Sequence, residues 1–117
     1  MANITDYRTI TYFDVETTSL DPTRGEIIQI CIVTENGDGE LKEWSTKIRP
    51  RLQPGTYDKS ALKINNFQPR DYIDAPIFED VADEIVEKLR WGPIVAHNAA
   101  FDVSFIESNL DLSLIHI

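Results

Sequence analysis

One run of the sequence restricts the possible folds more than any other. Residues Glu26 to Glu35 contain isoleucine, valine and cysteine at both odd and even positions. Because a strand places alternate side chains on opposite faces, this pattern is typical of a central strand of a sheet. The turn sequence Asn36-Gly37-Asp38-Gly39 follows directly, and its residues accept positive φ at low cost. We therefore predict a hairpin, with a third strand from Glu40 to Ile48.

The rest of the chain adds one strand before this hairpin and then helices. Residues Arg8 to Val15 have the β-propensity of a first strand. Asp58 is a candidate N-cap for a short helix from Lys59 to Asn65. After Pro76 the apolar period changes from two to about 3.6, which predicts a longer amphipathic helix. Its expected apolar stripe consists of Phe78, Val81, Ala82, Ile85, Val86 and Leu89.

Two further elements complete the expected topology. Ile94-Val95-Ala96 is short and apolar, which favours a buried strand, and Ala99 to Asn109 can form a helix. The order βββ-α-α-β-α predicts an α/β domain with a mixed sheet. Three N-terminal strands would be antiparallel, a later strand would be parallel, and helices would flank the sheet.

Composition restricts the class of protein. The chain has 117 residues, of which 42% are hydrophobic and 26% are charged, as in an ordinary globular domain. No apolar run approaches the roughly 20 residues of a membrane span, and the N-terminus lacks signal-peptide features. We therefore expect a single domain in the cytoplasm, with no membrane partner. Cys31 is the only cysteine, so no internal disulfide can form, and we expect a buried thiol.

The charge distribution is uneven. A net charge of -9 argues against general electrostatic attraction to nucleic acid. The segment from Lys47 to Arg70, however, has six basic residues and one acidic residue, so its net charge is +5 and that of the remainder is -14. This segment could contact phosphates locally, or it could be a solvated loop with lysines.

Asp14 and Glu16 form a pair of carboxylates at the end of the first strand. They share one face of the strand, whereas Phe13 and Val15 share the other. Like charges on one face repel each other, but such a pair becomes useful when a divalent cation lies between the carboxylates. Taken alone, the pair is equally consistent with an acidic strand end that runs into a polar turn.

A second motif, His97-Asn98-Ala99-Ala100-Phe101-Asp102, follows the last strand. Together with Asp14-Val15-Glu16-Thr17-Thr18, it resembles the first two motifs of the DEDD superfamily of 3′-5′ exonucleases, in the branch of the polymerase epsilon-like proofreading subunits. The segments Gly25–Ile30, Ala61–Phe67 and Ala75–Phe78 also follow this family pattern. At Asn65-Asn66 the sequence departs from the His-Gly that this family often has at the same place. Substrate contacts near that loop therefore do not follow from the resemblance.

The resemblance implies a ribonuclease H-like fold and a metal-dependent reaction. Two Mg²⁺ or Mn²⁺ ions about 4 Å apart would activate a water and stabilise the leaving 3′-oxygen. By resemblance, Asp14 would bind both ions, Glu16 the ion that activates water, and Asp102 the second ion. The expected substrate-binding residues are Thr17, Thr18, His97 and Asn98, with His97 and Asn98 also shaping the turn. Phe101 is expected to be a core residue rather than a platform for base stacking.

The implied function is hydrolysis at the 3′ end of single-stranded DNA, in proofreading or repair, with a DNA polymerase as a candidate partner. Two alternatives remain open. One is an exoribonuclease of the same superfamily that trims short RNA. The other is a catalytically inactive module of the same fold that binds nucleic acid or another protein.

The family pattern also includes a third motif with a histidine or tyrosine as general base and a fourth carboxylate. Fifteen residues follow Asp102, and they contain Asp111 and His116 in the wrong order for this motif. Residues Leu112–Ile117 can be encoded by a transposase end sequence used in sequencing adaptors. We therefore expect residues 1–117 to be a partial exonuclease domain, inactive by itself, with native sequence that ends near Asp111.

Overall fold

Four strands and three α-helices make up the part of the chain that the computed structural model describes. The backbone is described for residues 9–90 and 92–115, and the side chains are described for residues 9–90 and 92–110. The elements in chain order are β1 (Ile10–Thr17), β2 (Ile27–Glu35), β3 (Leu41–Lys47), α1 (Lys59–Ile64), a 3₁₀ turn (Pro69–Tyr72), α2 (Phe78–Leu89), β4 (Ile94–Val95) and α3 (Ala99–Ile115).

The strands form one mixed sheet in the order β3-β2-β1-β4. β1 pairs antiparallel with β2, so that Asp14 lies opposite Cys31, and β2 pairs antiparallel with β3. β4 is parallel to β1, with Thr11 opposite Ile94. The predicted mixed sheet, with β2 as an internal strand, is confirmed. The hairpin is also confirmed, because Asn36 Oδ1 accepts hydrogen bonds of 2.9 Å from the N–H groups of Asp38 and Glu40.

The hydrophobic core lies between one face of the sheet and the helices α2 and α3. Burial of apolar side chains is the main stabilising contribution to such a packing. The cluster consists of Phe13, Val15, Ile27, Ile30, Ile32, Ile48, Phe78, Ala82, Ile85, Phe105 and Ile106. Because Phe13 and Val15 of β1 point into this core, Asp14 is left on the opposite, open face.

Three expectations about burial are wrong. The strand at Ile94 and Val95 is exposed rather than buried, because β4 is the edge of the described sheet. Val86 is 44% exposed because it lies at the edge of the apolar stripe of α2, whereas its neighbour Ile85 points into the core and is fully buried. Cys31 is only half-buried, since it shares the open face of the sheet with Asp14.

Helix α3 continues past the predicted end at Asn109 and reaches Ile115. Asparagine is a weak helix former because its amide competes for backbone hydrogen bonds. Here that amide is buried and bonds within the fold, donating to the carbonyl of Phe105 over 2.9 Å. Its bonding therefore supports the helix instead of ending it. No helix in the described ranges 9–90 and 92–115 is long and apolar enough to cross a membrane.

Candidate active site

Asp14 and Glu16 lie at the end of β1, on the face of the sheet that the core helices leave open. Asp14 is exposed and Glu16 is half-buried. Phe13, which precedes Asp14, and Val15, which lies between the two carboxylates in the sequence, are buried. The predicted division of these side chains between two faces is confirmed. The pairing register with β2 shifts between Glu16 and Thr17, so the regular ladder ends at the carboxylates.

Asp102 lies in the first turn of α3, and its side chain is buried. Burial raises the pKa of this carboxyl group, and the negative charge of Asp14 raises it further. The backbone of Asn98 and of Val15 acts in the opposite direction by hydrogen bonding, and His97 does so by its charge. The fold thus brings Asp102 next to Asp14, although the two residues are far apart in sequence.

Glu16 is not gathered with these two carboxylates. The described part of the chain has no group of three His, Cys, Asp or Glu side chains placed to hold a metal ion. The pKa of buried Tyr72 is raised, first by burial and next by the charge of Glu16. Asp14 and Asp102 do fit a divalent cation, since both supply hard oxygen ligands and a cation would relieve their repulsion.

A cleft of about 180 Å³ opens between the end of β1 and α1, and its lining includes Glu16 but neither Asp14 nor Asp102. Its floor includes Glu16 and Thr17, and its rim includes Leu20 and Ile64, whose side chains are 73% and 80% exposed. Exposed apolar side chains at a cleft can pack against a base or a sugar. Leu20 and Ile64 could not be identified from the sequence, because single exposed apolar residues are common on protein surfaces.

Phe101 lies in both environments that the sequence analysis contrasted. It packs against the core, with its ring centroid 4.8 Å from that of Phe105, and it also lines the cleft. Its expected place in the core is therefore confirmed in part. The exposed remainder of the ring faces the cleft.

The two threonines after Glu16 use their hydroxyl groups within the protein. Thr17 Oγ1 donates to the carbonyl of Ser19 over 2.7 Å. Thr18 Oγ1 donates to the carbonyl of Thr56 over 2.7 Å and accepts from the N–H of Glu26 over 2.9 Å. Both side chains are buried. A substrate contact through either hydroxyl stays a prediction that this geometry does not favour.

His97 and Asn98 form the exposed turn between β4 and α3. The carbonyl of Asn98 accepts a 3.0 Å hydrogen bond from the N–H of Asp102, which starts the helix and places Asp102. The expectation that these residues shape the turn is confirmed. Their contact with substrate stays a prediction.

Comparison with known proteins shows the family of this chain. The family model of the RNase T exonucleases matches residues 11–115. This chain belongs to the RNase T family of exonucleases. The expected resemblance to epsilon-type 3′-5′ exonucleases is thereby confirmed, since epsilon subunits are among the relatives of this family member.

Two curated relatives and one solved structure give the extent of the similarity. The DNA polymerase III epsilon subunit of Buchnera aphidicola is 33% identical over 103 residues, which cover 85% of this chain and 43% of that protein. Ribonuclease T of Wigglesworthia glossinidia brevipalpis is 35% identical over 116 residues, covering 87% of this chain and 54% of that protein. This exonuclease-family chain therefore spans about half the length of these relatives.

Zinc-bound Escherichia coli exonuclease I in complex with single-stranded DNA shares the fold, with a TM-score of 0.70 and 15% sequence identity. The match covers 84% of this chain and 22% of exonuclease I. The expected ribonuclease H-like fold is confirmed.

Asp58 of this RNase T family member does not cap α1 with its side chain, contrary to the sequence analysis. It occupies the N-cap position, but no side-chain capping bond forms. Its carboxylate instead accepts hydrogen bonds from Ser19 over 2.7 Å and from Arg24 over 2.9 and 3.0 Å. These two bonds, led by that from Ser19, lower the pKa of Asp58. Sequence alone could not identify these distant donors.

The basic residues between Lys47 and Arg70 are distributed over several elements. Arg51 forms an ion pair of 2.7 Å with Glu79, and Arg49 donates to the carbonyl of Ile73. Lys59 and Lys63 are exposed on α1, the helix that forms one side of the cleft. A contact of this segment with phosphates stays a prediction, and within the described chain these two lysines have the most suitable position for it.

Proposed function

We propose that this protein is a metal-dependent 3′-5′ exonuclease that hydrolyses single-stranded DNA from its 3′ end. The observation that carries the proposal is the charge interaction of Asp14 with buried Asp102, next to an open cleft that is lined by the neighbouring residues Glu16 and Phe101. A buried carboxyl group whose pKa is raised by burial and by a second carboxylate is typical of a functional site, because the arrangement is costly without a cation.

The relatives support DNA as the substrate. Epsilon subunits of DNA polymerase III are among the curated relatives, and the structurally similar exonuclease I was crystallised with single-stranded DNA. We therefore propose a role in DNA replication or repair, with a DNA polymerase as a partner.

Each part of the proposed site has a separate task. Asp14, Asp102 and, after rotation of its side chain, Glu16 would hold two Mg²⁺ or Mn²⁺ ions. Such ions supply a water of lowered pKa and positive charge at the leaving oxygen. The backbone hydrogen bonds to Asp102 keep its carboxylate available in spite of its burial.

The cleft would hold the 3′-terminal nucleotide by contacts that do not depend on the base. Leu20, Ile64 and the exposed part of Phe101 present apolar surface to the base and the sugar. Lys59 and Lys63 would attract the neighbouring phosphates. Contacts of this kind tolerate any base, as a proofreading or repair exonuclease requires.

The test is hydrolysis of a 5′-labelled single-stranded oligonucleotide in Mg²⁺ by the full-length protein. We expect Asp14→Asn and Asp102→Asn each to lower the rate by at least about 100-fold, the scale for loss of one active-site electrostatic group. Asp83→Asn on the exposed side of α2 is the matched control and should be neutral. Near-normal rates for either site variant would contradict the proposal. The 117-residue chain by itself should show little hydrolysis, because its sequence lacks the third family motif.

A second candidate function is removal of nucleotides from RNA. It is favoured by the relationship to ribonuclease T of Wigglesworthia glossinidia brevipalpis, at 35% identity. The two functions differ in whether the cleft accepts a 2′-hydroxyl. Matched oligodeoxythymidylate and oligouridylate substrates distinguish them, and a higher kcat/KM for oligouridylate would favour the second function.

A further inference from the structure

Helix α1 forms one side of the cleft but is not anchored in the hydrophobic core. Ala61 is the one buried residue among its six, and it lies outside the core cluster described above. Ile64, at the end of the helix, is 80% exposed. A six-residue helix has little stability of its own, so its position must come from contacts around it.

Polar contacts hold the N-terminal end of α1. The N–H of Asp58 donates to the carbonyl of Thr18 over 2.7 Å. Its carboxylate accepts bonds from Ser19 and Arg24, and Arg24 Nη1 also donates to the carbonyl of Gly55 over 3.0 Å. Arg24 thus connects the loop after β1 to both the start of α1 and the loop that precedes it.

A separate contact holds the C-terminal end of α1. Asn65 directly follows the helix, and its Nδ2 donates to the carbonyl of Thr17 over 2.8 Å. Both ends of α1 are therefore connected to the segment 17–24, which begins immediately after Glu16. None of these hydrogen bonds involves Asp14 or Asp102.

We propose that Arg24 and Asn65 are positioning residues that set the width of the cleft at the 3′-terminal nucleotide. They act through α1, which carries Ile64, Lys59 and Lys63 to the side of the cleft. The inference rests on the proposed function, because it assigns the cleft to a nucleotide. It predicts an effect on nucleic-acid affinity with little effect on the chemical step.

The test combines two readouts on Arg24→Gln and Asn65→Ala. Hydrogen exchange in the 117-residue chain reports on the amides of Leu62 and Asn65, which bond to Asp58 and Ala61. Fluorescence anisotropy reports the Kd for labelled oligothymidylate in the presence of Ca²⁺. Loss of one or two such bonds should speed exchange in α1 and raise the Kd by about five- to tenfold. Exchange in β1 and β2 should not change.

Two further variants separate positioning from general stability. Arg24→Lys keeps the positive charge and should restore part of the affinity. Arg90→Gln removes an exposed ion pair of 3.2 Å with Glu87 on α2 and should leave both readouts unchanged. In the full-length enzyme, Arg24→Gln should raise KM with kcat changed less than about twofold.

Several outcomes would overturn the inference. Unchanged exchange in α1 would show that these bonds do not hold the helix. Faster exchange with unchanged affinity would show that the position of α1 does not matter for binding. If neither the wild-type chain nor the full-length protein bound the oligonucleotide, the proposed function would fail, and this case would be recognised because exchange in α1 would still be faster in the variants.

Discussion

Asp102 occupies a position that disfavours the charged form of its carboxyl group. Its carboxyl group is buried and lies near Asp14, and both effects raise its pKa. The charged form is therefore less favourable in the folded state than in the unfolded state. Sites in which a function requires an unfavourable charge commonly reduce the stability of the protein.

We predict that Asp102→Asn stabilises the metal-free protein at pH 7 while it removes activity. A carboxyl group whose pKa is higher in the folded state than in the unfolded state does not lower the free energy of unfolding at a pH below its unfolded-state pKa. It lowers that free energy by the full amount once the pH exceeds the folded-state pKa. The gain should therefore be present at neutral pH and disappear in acid. We expect the substitution to raise the free energy of unfolding at pH 7 by about 1 kcal/mol, in the lower range of single-substitution effects. Denaturant unfolding of both proteins at pH 7 and near pH 3 measures it.

Asp83→Asn again serves as the matched control, since Asp83 is exposed on α2. It should leave the free energy of unfolding nearly unchanged at both pH values. A loss of stability in Asp102→Asn at pH 7 would mean that backbone hydrogen bonds to the carboxylate outweigh its burial.

At the scale of elements, α3 is joined to the sheet by a buried amide as well as by hydrophobic packing. Asn109 Oδ1 accepts a 3.2 Å hydrogen bond from the N–H of Ile27, at the start of β2. Its Nδ2 donates to the carbonyl of Phe105 over 2.9 Å. This contact fixes the helix that carries Asp102 relative to the sheet that carries Asp14.

We predict that Asn109→Ala lowers the free energy of unfolding by about 1–3 kcal/mol, because it leaves the buried N–H of Ile27 without its acceptor. Thermal and denaturant unfolding measure the loss. Ser104→Ala on the same helix is the control, since its exposed hydroxyl donates only to Ala100 over 2.6 Å. Equal stability of Asn109→Ala and the wild type would show that the amide contributes nothing to the attachment of α3.

The elements themselves were largely predictable from the sequence. β1, β2 and β3 lie within two residues of their predicted bounds, and α2 follows Pro76 as predicted, because alternation and helical periodicity are properties of the local chain. β4 was predicted as a strand but with the wrong burial, since an apolar run does not reveal whether another strand lies beside it. The length of α3 depended on a tertiary bond of Asn109.

At the scale of the whole molecule, the proposed site predicts that stability depends on divalent cations, because a bound cation would offset the repulsion between Asp14 and Asp102. We predict that Mn²⁺ raises the Tm of the wild-type chain. At a concentration 100-fold above its Kd, a bound ligand adds about 2.7 kcal/mol to the free energy of unfolding. Thermal unfolding with and without EDTA measures this effect.

Asp14→Asn should remove most of the Mn²⁺ response, because it removes one of the two adjacent carboxylates. Asp38→Asn, in the exposed hairpin turn, should keep the full response. The same increase in Tm for all three proteins would indicate binding of Mn²⁺ elsewhere on a chain of net charge -9, and would contradict the assigned site.

The sequence by itself determined that Asp14 and Glu16 share one face of a strand, because the period of a β-strand follows from backbone geometry. Together with the second motif, it also determined the exonuclease family. Only the tertiary structure decided that Asp102 is buried within range of the charge of Asp14, and that Asp58 binds Arg24 instead of capping α1. These contacts join residues far apart in the chain, and packing of the whole domain sets their distances.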